Sequence, residues 1–339
     1  MVAAALVCVL AATALSARTP QVLRLRDAAT KQQIAIVGTV HYNPASVNRA
    51  KDEVSLALDR NGQKVGAVVV EACESRWTRS LEVAPPGSLV ARLTCSEMQG
   101  AAGVAIEKGI PVLLGDTDVG PFVDRVGAFA KQSAWDLVNP FGGWRAISDD
   151  FARTLPPTLN ASDVANSELL LAGEAPLSIG DYARPDILLG FLYTPIRYVA
   201  AFAIKAPFAA LIFAAALAAI DSTAAQIDTM ASSSMATGEL LSLPVAAELV
   251  FSTFEIGLLV LTTRLLLVPF LEERNAELAR SIRRAAAESE APVVAILGGL
   301  HVNGVARLLL SEETPDADGR KADGVWWDPP AGLDTSQWI

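Results

Sequence analysis

Four short apolar runs punctuate the chain, at 34–37, 66–70, 111–115 and 293–297, and none of them alternates with polar residues. Such runs, rich in valine and isoleucine, predict strands buried on both faces of a sheet. Between them the pattern turns helical. A polar-faced helix is expected from Asn43-Pro44 to about residue 60, and an alanine-rich one from Met98 to Lys108, ended by Gly109 and Pro111. Ahead of them Val22-Leu23-Arg24-Leu25-Arg26 alternates as a half-exposed strand, with a turn at 27–30. This strand–helix rhythm predicts an α/β fold: a central, mainly parallel sheet with flanking helices. Right-handed crossovers then bring the carboxyl ends of the strands to one edge, where such sheets bind ligands.

Each buried run delivers a polar side chain to that edge. The run at 34–37 leads into Gly38-Thr39-Val40-His41, and the run at 293–297 into Gly298-Gly299-Leu300-His301. These are the only 2 histidines in the chain, so both sit in a Gly-x-x-His setting. The other two runs end in Glu71 and Asp116. A glycine at the end of a buried strand permits a sharp turn or a close approach to the backbone. His41, Glu71, Asp116 and His301 are therefore expected to converge. The competing readings are satisfied core histidines and, for the two acids, ordinary helix N-caps.

Two longer apolar stretches, 206–220 and 240–270, predict helices at 196–220 and 245–270 within a helical insertion at about 186–271. Lys205, Pro207, Glu248, Glu255 and Arg264 interrupt them, and neither reaches the ~18 consecutive apolar residues of a spanning helix. They are expected to pack as a hairpin or across a homodimer, with peripheral attachment to a membrane surface. The segment 122–194 carries weaker signals, with Pro156-Pro157 and Gly180 as breaks. A helix at 276–287 carries Glu277, Arg280, Arg283 and Arg284 on a solvated face. From residue 314 an acidic, Pro/Gly-rich tail holds Trp326, Trp327 and Trp338, and is expected to be loosely ordered and to dock through them.

Residues 1–17 are uncharged and apolar, with small residues at 14–16, as in a secretory leader. The organisation is then a leader at 1–17, a folded domain at 20–310 and a tail at 311–339, in the secretory pathway or an organelle, a plastid included. A net charge of −10 leaves no nucleic-acid footprint. A mean hydropathy of +0.36 raises membrane contact. Cys73 and Cys95 define no disulfide framework and read as buried thiols.

With these motifs in order, the chain resembles the TraB domain family, which groups TraB and PrgY of bacterial pheromone control with Tiki proteins and eukaryotic TraB-domain proteins. The matching pieces are Gly38-Thr39-Val40-His41, Val70-Glu71-Ala72-Cys73-Glu74-Ser75-Arg76, Glu97-Met98 running into Gly115-Asp116, Glu273-Arg274-Asn275, and Gly298 through Val305. The form around Glu71 looks closer to the eukaryotic branch. One departure is Thr117, where the family commonly has arginine. The resemblance implies a mixed α/β fold and, for the Tiki branch, metal-dependent proteolysis.

Two imidazoles with one or two carboxylates suit Zn²⁺, Mn²⁺ or Co²⁺ and leave a position open for water. In this scheme His41, His301, Glu71 and Asp116 supply metal ligands, with Glu71 a ligand or the general base and Glu273 its alternate. Arg76 and Arg274 orient carboxylates or substrate, and Asn275 completes the family's Glu-Arg-Asn piece. The function expected is a metallopeptidase, or a regulator of a peptide signal, acting on a peptide or protein. The alternative is a non-catalytic, membrane-associated interaction or tethering protein. A third reading, from distant relatives of this fold, has one histidine as an axial haem ligand.

Overall fold

The computed structural model describes residues 19–56, 64–86, 88–159, 161–205, isolated positions from 207 to 225, 243–312, 323–330 and a few positions to 338. The expected leader, most of the 206–220 stretch and the start of the tail lie outside the described residues.

Six strands form one mixed sheet in the order β1-β2-β5-β3-β4-β6. They are β1 Val22–Arg26, β2 Gln33–Thr39, β3 Ala67–Val70, β4 Val112–Leu114, β5 Val293–Gly298 and β6 Val325–Trp327. The four apolar runs are the central strands and pair in parallel, Ile36 facing Ala295, Val70 facing Ile296 and Val69 facing Leu113. Only the two edges are antiparallel, β1 on β2 and β6 on β4. The chain is thus an α/β protein, as its pattern predicts.

Alternate residues of the central strands enter different cores. Ile34, Ile36, Val69, Ala295 and Leu297 meet Leu278, Ile282, Val302 and Val305 on one face. Val37, Val68, Val70 and Ile296 meet Val54, Trp77, Ala101 and Ala105 on the other. The second layer comprises α1 Pro44–Leu56, α2 Glu74–Val83 and α3 Glu97–Glu107. Beyond β4 come α4 Val119–Val138 and α5 Gly142–Leu159, then α6 Thr194–Lys205 and α7 Leu243–Leu265. A π-helical segment, Leu266–Glu273, carries α7 without a break into α8 Arg274–Ser289. α8 and α9, Gly299–Leu309, form the first layer. The wider turns of the π-segment hold Pro269, which has no N–H for the helical ladder.

Several expectations change. Residues 156 and 157 do not break the helix: α5 stays helical to Leu159, and the two prolines fall in its last turns, where the ladder is ending. Glu277 and Arg283 are buried, not solvated. α8 is enclosed by the sheet, α9 and the returning tail, so Arg283 pairs with Asp27 at 2.9 Å and donates to the Leu308 carbonyl. Glu277 pairs with Arg280 and accepts from the Asp323 N–H. The described residues of the tail dock through their tryptophans. Trp326 and Trp327 lie in β6, and Trp338 is buried against Trp77 and Trp327. α6 lies against α2 and the short helix Leu89–Thr94, whereas α7 lies along α4. Cys73 is buried and Cys95 half-buried, both as free thiols.

Candidate functional site

The parallel register aligns the carboxyl ends of β2, β5, β3 and β4, and His41, Glu71, Asp116 and His301 emerge there. Glu71 follows β3 directly and is buried. Its Oε1 lies 3.4 Å from His301 Nε2, and its Oε2 accepts the Gly298 N–H at 2.6 Å. His41 reaches the same point from the other side. A β-carbon built on Gly298 would stand 3.2 Å from His41 Nε2 and 3.3 Å from Glu71 Oε2. Gly298 thus leaves room for both side chains, which a methyl there would press back by a few tenths of an ångström, while its backbone is of an ordinary kind (φ −59, ψ 140).

The glycine of the first motif serves another purpose. A β-carbon on Gly38 would collide with Leu177, the Tyr182 hydroxyl and Val302, the nearest 2.6 Å away. Gly299 gives way to the same tyrosine, so Tyr182 packs over both motifs. Gly304, one turn after His301, makes room for the Asn275 side chain.

Each imidazole is held through Nδ1. His41 Nδ1 meets Glu97 Oε1 at 2.6 Å, and His301 Nδ1 meets Asn275 Oδ1 at 2.7 Å. This leaves both Nε2 atoms turned towards Glu71, the arrangement in which an outer partner fixes the ring of a ligating histidine. Glu97 opens α3 beneath a capping box from Ser96 and Gln99. Its second oxygen accepts the Tyr42 N–H at 3.2 Å. Tyr42 has a left-handed backbone (φ 61), which turns the chain so that His41 and Tyr42 share one carboxylate.

Behind Glu71 lies a chain of ions. Arg274 donates to Glu71 Oε1 at 2.5 Å and to Asp116 Oδ2 at 2.6 Å. Arg76 also pairs with Asp116 and donates to Cys73 Sγ at 3.3 Å. Asp116 thus stands between two guanidinium groups, and its Oδ1 accepts the Thr117 N–H at 2.9 Å. It does not cap the helix that follows, where Asp118 occupies that position. Glu273 points elsewhere, pairing with Arg125 at 2.5 Å on the exposed side.

The two imidazoles are tuned in opposite directions. Burial resists a charge on His41, but the hydrogen bond and charge of Glu97, with Glu71 behind, raise its pKa to about 9. For His301 burial prevails over the attraction of Glu71, and Arg274 adds to it, so its pKa is lowered. Burial works against the Glu71 carboxylate, yet His301, Arg274 and His41 hold it below the usual range. In Glu97, too, burial is outweighed, by the hydrogen bond and charge of His41.

Of the residues expected at the site, His301 meets Glu71 and Asn275, Glu71 meets Arg274, and His41 faces Glu71 across Gly298. Asp116 and Arg76 form the layer behind, and Glu273 stands apart. Glu97 supports the site although its sequence signal, a glutamate opening an alanine-rich helix after a serine cap, reads equally well as a helix start. Among the described residues no three histidine, cysteine or acidic side chains form a group that could hold a metal ion. The donor types suit a divalent ion: two imidazoles held through Nδ1, with Nε2 turned towards one carboxylate, that of His301 3.4 Å from Glu71.

No protein-family model, curated protein or solved structure matches the chain.

Proposed function

We propose that the chain is a TraB-like hydrolase that uses a divalent metal, Zn²⁺, Mn²⁺ or Co²⁺, to cleave a peptide bond. The observation that carries this reading is the convergence of His41, His301 and Glu71, three residues from separate strand ends, with both rings oriented from behind. His41, His301 and Glu71 would hold the ion. When bound, the ion supplies Lewis acidity to activate water and polarise a carbonyl.

The chain's own groups have separable tasks. Asn275 and Glu97 orient the rings, and Arg274 keeps Glu71 ionised. Glu71, with Oε2 on the Gly298 N–H, can accept a proton if it is not a ligand. Asp116 holds Arg274 in place, with Arg76 on its other side, and both are positioning residues. The peptide preference comes from the family resemblance alone. Incubating the full chain with Mn²⁺, Co²⁺ or Zn²⁺ and a mixed peptide library, with products read by mass spectrometry, tests it. Metal-dependent cleavage that is lost in His301→Ala supports the reading. No cleavage with any of the ions counts against it.

A second reading, a membrane-associated interaction protein, is favoured by the insertion. Along α6 and α7, Ile196, Val199, Val250, Phe254, Ile256 and Leu259 are all exposed. By length and composition the continuous helix Ser252–Ser289 is long and apolar enough to cross a membrane, though the same holds for core helices of soluble proteins. Retention of the protein in membrane pellets after alkaline carbonate, without metal binding, would favour this reading over the hydrolase.

A further inference from the structure

A cavity of about 1090 Å³ opens beside the two histidines. Its walls are mainly apolar, with Leu177, Phe191, Leu267 and Leu271 among them. Three charged side chains besides the histidines line it: Arg153, Glu272 and Arg307. Arg153 and Glu272 pair with each other, and Arg153 also meets Asp150 at 2.8 Å. Arg307 is different. Among the described residues no carboxylate pairs with it, and its Nε is buried without an acceptor. A guanidinium cannot shed its proton to relieve this, and its planar fork matches a carboxylate.

Placement sets the scale. The cavity-lining residues of α9 are Gly299, Leu300, His301, Asn303, Gly304, Arg307 and Leu308, a broad face of the helix on which Arg307 aligns with Leu300, Asn303 and Gly304. Arg307 thus lines the same cavity as His301. It follows His301 by an axial rise of about 9 Å. An extended peptide covers that distance in roughly two to three residues.

We propose that this cavity binds an apolar chain ending in a carboxylate, with the carboxylate on Arg307 and the reacting bond beside His41 and His301. The assignment of a reacting bond rests on the hydrolase reading; the ligand class does not. Two sources carry this chemistry, the C-terminus of an apolar peptide and a fatty carboxylate. A peptide source makes the enzyme one that releases a short C-terminal fragment.

Calorimetric binding to the full chain tests the assignment, with acetyl-Leu-Leu-Phe, its C-terminal amide, dodecanoate and methyl dodecanoate as probes. At least one acid should bind wild type more tightly than its neutral counterpart by about tenfold. Arg307→Gln should abolish that difference, and Arg307→Lys should keep part of it, with unchanged melting temperatures for both variants. Preference for the peptide acid or for dodecanoate identifies the source. Equal binding of acid and neutral forms, or a difference that survives Arg307→Gln, overturns the proposal, as does failure of both acids to bind. Arg307-dependent binding without cleavage of the peptide would sustain the cavity assignment while counting against the hydrolase.

Discussion

Glu97 holds His41 through Nδ1 at 2.6 Å, and the carboxylate that does so is fully buried. The opposite edge of the ring faces Glu71 across Gly298. One buried acid thereby decides both where His41 points and whether it carries a proton.

That relationship fixes a pH dependence. With a pKa of about 9, His41 is protonated at neutral pH and must lose that proton to ligate a metal. Affinity for a divalent ion should climb as pH rises from neutral to about 9, and binding at neutral pH should release protons. Calorimetry in two buffers of different ionisation enthalpy counts them. In the metal-free protein the raised pKa stabilises the fold below the usual histidine pKa, and this contribution is lost as pH rises through about 9. Urea midpoints should fall across that alkaline window. Glu97→Gln should flatten the fall and return the His41 titration, followed by NMR, towards the ordinary range.

Gly298→Ala separates the site from the fold. The backbone there suits alanine, but the new methyl would press on His41 Nε2 and Glu71 Oε2. Metal binding should drop by about tenfold or more, while stability changes by no more than about 1 to 3 kcal/mol, the usual cost of overpacking. Unchanged metal affinity would show that the three side chains do not act together.

Removing Arg274 should damage the fold itself. Its guanidinium lies between Glu71 and Asp116, which are 5% and 3% exposed. Arg274→Met leaves Glu71 without its guanidinium partner, and such losses cost about 3 to 5 kcal/mol. Arg76 remains on Asp116 and should keep the loss near the lower figure. Urea unfolding at neutral pH reads it, and the deficit should shrink in acid as Glu71 protonates.

Neighbours in sequence should behave differently. Asn275→Ala frees His301 Nδ1 and should weaken metal binding by roughly 10–100-fold, as other outer-shell losses do. Glu273→Gln touches only the exposed pair with Arg125 and should shift stability by less than about 1 kcal/mol, with metal binding unchanged. Equal effects of the two variants would contradict the arrangement described.

The strands and the edge they share were legible because continuous apolar runs have few alternatives to a doubly covered parallel sheet, and each ends in a polar residue. The direction of each side chain was not. Glu273, Arg274 and Asn275 are consecutive, yet helical rotation turns the first outward and the other two inward. The burial of Glu277 and Arg283 was also hidden, since a charged helix face looks solvated until a tail and a neighbouring helix cover it. Glu97 stood out only as part of the family's Glu-Met piece, with no role of its own, because helix-capping chemistry and ring-orienting chemistry use the same residue at the same place.

Metal titration decides whether His41, His301 and Glu71 hold an ion. Calorimetry of the purified, chelator-treated chain with Zn²⁺, Mn²⁺ and Co²⁺, between neutral pH and about 9, should show one ion bound per chain, and none in a His41→Ala, His301→Ala double variant that keeps its helical circular dichroism. Absence of binding by wild type across that range, or unchanged binding by the double variant, would contradict a metal site built by His41, His301 and Glu71.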